Sequence, residues 1–157
     1  MAHIDASSER EHPPFFVYGT LRPGEENYER LAAGKTRREL PAVLPQHTMY
    51  AGRYPCVVED ECEGGSRVVG DLLFIHPALY EQVLAAFDAL ERFDPTQEDP
   101  WYRRVTRTVD YVAEDGNPRR ITAWVYLGGR ATVATYNERD RVPSGDWFAY
   151  LRASGRK

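Results

Sequence analysis

"YRRVTRTVDYVAEDGNPRRITAWVYL", Tyr102 to Leu127, decides the architecture. Its two arms, Tyr102–Ala113 and Arg119–Leu127, alternate apolar with polar residues and are rich in β-branched and aromatic side chains, as strands with one buried face are. Between them "EDGNP" places Asp-Gly and Asn-Pro pairs, both turn formers. The stretch predicts a β-hairpin. Upstream, "PALYEQVLAAFDALERF" (Pro77–Phe93) predicts a helix, with proline at its start, where a missing N–H costs nothing. "SRVVGDLLFI" (Ser66–Ile75) and "FFVYG" (Phe15–Gly19) read as strands, the latter central, and "ENYERLAAG" (Glu26–Gly34) as a short helix stopped by Gly34. From Thr36 to Val58 the alternation is broken by Pro41, Pro45, Gly52 and Pro55, which predicts short, irregular strands. After Gly128 the chain is rich in Gly, Pro and polar residues, and "SGDWFAYLR" reads as a docked closing element. Strands outnumber helices and no regular βαβ alternation occurs, so the fold class is α+β: a small mixed, mostly antiparallel β-barrel flanked by a few helices.

With 157 residues, 42% hydrophobic and 12% aromatic, the chain can bury one core. The expected organisation is a flexible polar leader over residues 1–13 and a single domain over 14–157. The net charge of −4, with Lys and Arg scattered among the acids, leaves no basic stripe for nucleic acid. Cys56 and Cys62 match no zinc spacing and read as reduced thiols. The leader "MAHIDASSEREH" lacks the apolar stretch of a signal peptide, and no apolar run is long enough for a membrane span. A cytoplasmic protein without nucleic-acid or membrane partners is expected; oligomeric state has no signal in the sequence.

Two places carry chemistry. "GTLRPG" (Gly19–Gly24) has the glycine spacing that begins a phosphate loop, but Glu25 and Glu26 stand where a lysine and a hydroxyl are required, and they repel phosphate. The stretch instead offers a strand ending at a residue without Cβ, so that successive backbone N–H groups can converge on an anion or developing oxyanion. A plain turn accounts for the same residues. The second place is Glu91. On the Pro77–Phe93 helix, Leu79, Val83, Ala86, Phe87 and Leu90 form an apolar stripe, and Glu91 falls at its edge while Asp88 points further toward solvent. Desolvation there raises a carboxylate's pKa and suits it to proton shuttling; a solvated helix-end glutamate paired with an arginine is the alternative. His3, His12, His47 and His76 never stand at ligand spacing, and Ser66 and Ser144 lack a nucleophile elbow, so neither a metal site nor a histidine triad is expected. Tyr18, Tyr102, Tyr111 and Tyr126 suit half-buried strand positions, from which a phenol can also orient a ligand. In "YRR" (Tyr102–Arg104), paired arginines either grip a carboxylate or form a solvated face.

Taken in order, "FVYGTLRPG", "NYERL", "VVGDLLFI", "FDALERFDP", "YRRVTRTV" and "AWVY" resemble the γ-glutamylcyclotransferase-like family, also called AIG2-like or BtrG-like, over roughly Phe15 to Gly128. The resemblance implies a small mixed barrel flanked by helices. It further implies that Tyr18, Gly19, Thr20 and Leu21 form a loop whose backbone holds a γ-glutamyl group, that Glu91 is the general acid/base, and that Tyr126 lines the same cavity. The implied enzyme closes the γ-glutamyl group of an amine or amino acid into 5-oxoproline and releases the amine. The substrate supplies its own nucleophile, and no cofactor or metal is needed. A module that binds a small carboxylate-bearing metabolite in the same cavity without turnover is the alternative. Arg92 stands where the family often carries glycine and sets a cation beside Glu91, and "DPTQEDP" (Asp94–Pro100) is a long insertion at the expected cavity rim.

Overall fold

The computed structural model describes residues 11–60, 65–98 and 100–155. Most of the expected leader, His3 and Cys62 lie outside the described residues. Along the chain run β1 (Phe15–Val17), α1 (Glu26–Leu31), β2 (Thr36–Pro45), β3 (His47–Ala51), β4 (Pro55–Glu59) and β5 (Arg67–Ile75). A 3-10 turn at Pro77–Leu79 leads into α2 (Tyr80–Leu90), followed by β6 (Tyr102–Val112), β7 (Pro118–Gly128), α3 (Arg130–Val133) and α4 (Trp147–Ala153).

Five strands close a barrel in the order β1-β5-β2-β6-β7, and β3 pairs with β4 in a separate ribbon. Every barrel pairing is antiparallel except the seam, where β1 runs parallel to β7 through Phe15 and Trp124. The predicted hairpin forms in full register from Tyr102↔Gly128 to Val112↔Pro118. Its turn is closed by Ala113 N–H on Asn117 O at 3.0 Å and Gly116 N–H on Ala113 O at 2.9 Å, with Gly116 at φ 85°.

Period-two alternation then sorts side chains between two cores. Phe16, Leu72, Phe74, Val109, Val125 and Leu127 point into the barrel. Their sequence neighbours Phe15, Val17, Leu73, Ile75 and Tyr126 point outward and are covered by Tyr80, Val83 and Phe87 of α2. Phe15 and Phe87 meet edge to face at 4.9 Å, a geometry that adds to area burial. β1 thus lies between β5 and β7 with all three residues buried.

Three expectations are corrected. The prolines do not break β2, which is continuous over ten residues. It pairs along its length with β5 but meets β6 only at Ala42 and Val43, and a strand bonded mainly on one side tolerates residues without an N–H. Strand β1 stops at Val17, not Gly19. Helix α2 stops at Leu90, leaving Glu91 as its C-cap and Arg92 and Phe93 in the turn beyond.

The closing segment docks as expected. Asp146 caps α4 by accepting from Phe148 N–H at 3.0 Å, and Trp147 is buried in the inner core. Gly145 is required at its position: its φ is 67°, and a Cβ there would sit 1.8 Å from Arg67 O. At the other end, Pro13 O accepts from Tyr80 Oη at 2.6 Å, and the His12 ring stands edge-on to Tyr80. Among the described residues, no helix is long and apolar enough to cross a membrane.

Candidate active site

Where β1 ends, the chain turns sharply: Arg22 N–H donates to Gly19 O at 3.1 Å. The loop is tied to α1 by Tyr28 N–H on Thr20 O at 3.1 Å and by Asn27 Nδ2 on Thr20 Oγ1 at 2.7 Å. Beyond it, Arg22 is held by Asp71 at 2.7 Å and Asp146 at 3.3 Å. Gly19 has no room for a side chain, since a Cβ would lie 2.9 Å from Pro55 Cγ. The backbone N–H groups of Gly19, Thr20 and Leu21 donate to no protein acceptor among the described residues.

Facing this loop is the C-terminal end of α2. Phe93 N–H bonds Asp88 O at 2.9 Å and Arg92 N–H bonds Ala89 O at 3.2 Å, the paired bonds of a Schellman cap. Arg92 occupies the left-handed position of that cap, φ 54°, where glycine is normally favoured. The turn aligns Glu91 with the loop: Glu91, Tyr18, Gly19, Thr20, Leu21 and Tyr126 all line one cavity of 560 Å³.

Burial pushes the Glu91 carboxyl up to about 7, although the residue keeps some contact with solvent. The neighbouring cation of Arg92, itself exposed, does not pull it back. Burial also raises the phenols of Tyr18, Tyr102 and Tyr126, with the charge of Glu91 adding to each, so all three stay protonated as donors. Their hydroxyls brace the walls. Tyr18 donates to Tyr126 O, Tyr102 to Pro55 O at 3.2 Å, and Tyr126 to Asp88 Oδ1 at 2.6 Å.

Asp88 corrects the helical-wheel reading, for it does not face open solvent. Arg104 grips it with Nε on Oδ1 at 2.8 Å and Nη2 on Oδ2 at 3.2 Å, while the guanidinium lies 4.2 Å over the Trp124 ring. The carboxylate that "YRR" grips is therefore the protein's own. Sequence reading also missed Asn27, Tyr54, Pro55 and Trp101 among the lining residues. Asn27 carried a faint signal, being a polar side chain one turn past the glycine loop; Tyr54 and Trp101 carried none.

Cys56, His12, His47, His76, Ser66 and Ser144 do not line the cavity. Cys56 is buried and its thiol is pushed up to about 12, so it is no nucleophile near neutral pH. No group of His, Cys, Asp and Glu among the described residues is arranged to hold a metal ion. A larger, more open depression of 720 Å³ lies where β2 leaves β6, around Ala42, Tyr111 and Pro118, and shares no lining residue with the Glu91 cavity.

A profile of the family described as "Gamma-glutamyl cyclotransferase, AIG2-like" matches residues 15–149, a span that includes both the glycine loop and Glu91. The chain belongs to this family. A Vibrio cholerae protein named "Putative gamma-glutamylcyclotransferase" is 32% identical over 133 residues, covering 84% of this chain and 92% of its own. Among solved structures, the AIG2-like fold recurs in an aig2-like protein from Mus musculus, with a TM-score of 0.57 at 20% identity over 85% of this chain and 86% of the mouse chain. The same fold is found in YkqA from Bacillus subtilis, with a TM-score of 0.61 at 23% identity over 92% of this chain. This chain spans 42% of YkqA's length. At these identities the two structures speak for the barrel and its helices alone.

Proposed function

We propose that this protein is a γ-glutamylcyclotransferase-type enzyme that converts the γ-glutamyl group of an amine or amino acid into 5-oxoproline and frees the amine, with Glu91 as general acid/base. The observation that carries the reading is the placement of one desolvated carboxyl, raised to about 7, in the same cavity as a loop with three uncommitted backbone N–H groups.

The substrate's α-amine attacks its own γ-carbonyl carbon, and a C–N bond forms as the carbonyl π pair moves onto oxygen. The N–H groups of Gly19, Thr20 and Leu21 supply donors for that oxyanion; one such donor is worth about 3 kcal/mol in the transition state. Glu91, ionised, takes the proton that the attacking nitrogen sheds. The oxyanion then collapses, the original amide C–N bond breaks, and Glu91 returns the proton to the departing nitrogen. A carboxyl with a pKa near neutrality serves both directions of this transfer. The cavity's remaining task is to fold the glutamyl chain into its ring-closing conformer, a proximity effect worth roughly 7 to 11 kcal/mol at its fullest. Tyr18 and Tyr126, braced by their hydrogen bonds, supply rigid walls for it.

The test is product analysis on a panel of γ-glutamyl amines and amino acids. Release of 5-oxoproline together with a stoichiometric amine is expected. Free glutamate would mean hydrolysis instead, and saturable binding without product would mean a binding module.

A further inference from the structure

The inner wall and the rim of the cavity differ in chemistry. Tyr54 and Trp101 line it yet are 53% and 46% exposed, so their rings stand where the cavity opens to solvent. The backbone of each is held from behind. Trp101 O accepts from Gly129 N–H at 2.9 Å and from the Thr132 hydroxyl, and Tyr54 O accepts from Gly52 N–H at 3.3 Å. Exposed Arg92 lines the same opening, and the guanidinium of Arg53 lies 5.6 Å from the Tyr54 ring centroid. Neither arginine has an ion-pair partner among the described residues, and Glu91 is the one carboxylate among the described residues that line the cavity.

We infer that Arg53, Tyr54, Arg92 and Trp101 select the departing half of the substrate, and that this half is an amine carrying both a carboxylate and an aromatic face. An aromatic α-amino acid fits; a polyamine or a lysine side chain does not. The inference rests on the cyclisation reading, which places the γ-glutamyl half against the glycine loop and leaves the amine at the rim. Two unpaired guanidinium groups attract an anion there and repel a second ammonium. Two aromatic rings at the opening, each on a hydrogen-bonded backbone, offer a flat group a surface to stack on.

The test compares kcat/KM for γ-glutamyl-phenylalanine, γ-glutamyl-phenethylamine, γ-glutamyl-alanine and γ-glutamyl-ε-lysine by release of 5-oxoproline. The phenylalanine compound is expected to exceed each of the others by about tenfold or more. Arg53→Gln together with Arg92→Gln should bring the phenylalanine-to-phenethylamine ratio to near one, and Trp101→Ala should reduce the phenylalanine-to-alanine ratio. These are ratios within one preparation, so the fraction of folded variant cancels. Equal or better turnover of the ε-lysine compound would overturn the rim assignment and leave cyclisation standing. If none of the four yields 5-oxoproline, the cyclisation reading falls and the rim assignment with it.

Discussion

The phenolic hydroxyl of Tyr126 on β7 donates a 2.6 Å hydrogen bond to Oδ1 of Asp88, one turn before Glu91 on α2. Directly across the hairpin from Tyr126 stands Arg104, which holds both oxygens of the same carboxylate. Paired hairpin residues thus fasten the end of the helix to the barrel, and with it the height at which Glu91 sits over the cavity.

Removing this fastening should loosen the helix end. Tyr126→Phe deletes one hydrogen bond to a charged acceptor and should cost about 1 to 2 kcal/mol in urea unfolding. Asp88→Ala leaves a largely buried guanidinium without its partner and should cost about 3 kcal/mol. Combined, the two should cost less than their sum, because one carboxylate serves both donors.

Glu91→Gln keeps the size and removes the proton exchange. Turnover to 5-oxoproline should fall at least about a hundredfold, the scale of general acid/base catalysis, while calorimetry still detects 5-oxoproline binding. Unchanged turnover would take Glu91 out of the mechanism.

The raised carboxyl has two consequences for pH. Because Glu91 must be ionised to accept the α-amine's proton, kcat/KM should rise as pH climbs through about 7. Stability moves the opposite way. The folded-state value of about 7 exceeds the ordinary 4.5, so this group's contribution is full below about pH 4.5 and is lost as pH rises through 7. Between pH 4.5 and 8 the wild type should therefore lose about 2 to 3 kcal/mol relative to Glu91→Gln in chemical denaturation, and equal pH profiles would refute the raised value.

Arg92→Gly should stabilise the fold. The residue holds φ 54° at the left-handed position of a Schellman cap, where a Cβ is disfavoured by roughly 1 kcal/mol. A gain of about 0.5 to 1 kcal/mol in thermal or urea unfolding is expected.

Gly70→Ala should be severe. A Cβ at this β5 position would lie 2.2 Å from Val17 O and 2.8 Å from the Phe16 ring, so β1 must shift to admit it. The expected loss is about 2 to 4 kcal/mol, with cavity binding lost alongside, since the glycine loop begins where β1 ends.

How much of this was legible in the sequence depends on periodicity. The β6–β7 hairpin showed itself because alternation persists through both arms and the turn residues interrupt it. Glu91 showed itself because helical geometry sets it at the margin of a stripe containing Val83 and Phe87. Asp88 was misjudged because a helical wheel knows one helix at a time, and Arg104 approaches from β6. The end of α2 was overrun because Arg92 adopts a glycine's conformation without being one. Tyr54 and Trp101 lie in irregular segments whose neighbours carry no period, so only the closed barrel reveals what they face.

The parallel seam between Phe15 and Trp124 joins β1 to β7, the first and last strands in chain order among the described residues. A nascent chain leaving the ribosome therefore carries β1 unpaired on one side until β7 has emerged, and three consecutive apolar residues wait without their cover. Closure is the step at which vectorial synthesis is most exposed to aggregation, and a chain cut short before β7 would be left with an open, sticky edge where its pocket should be.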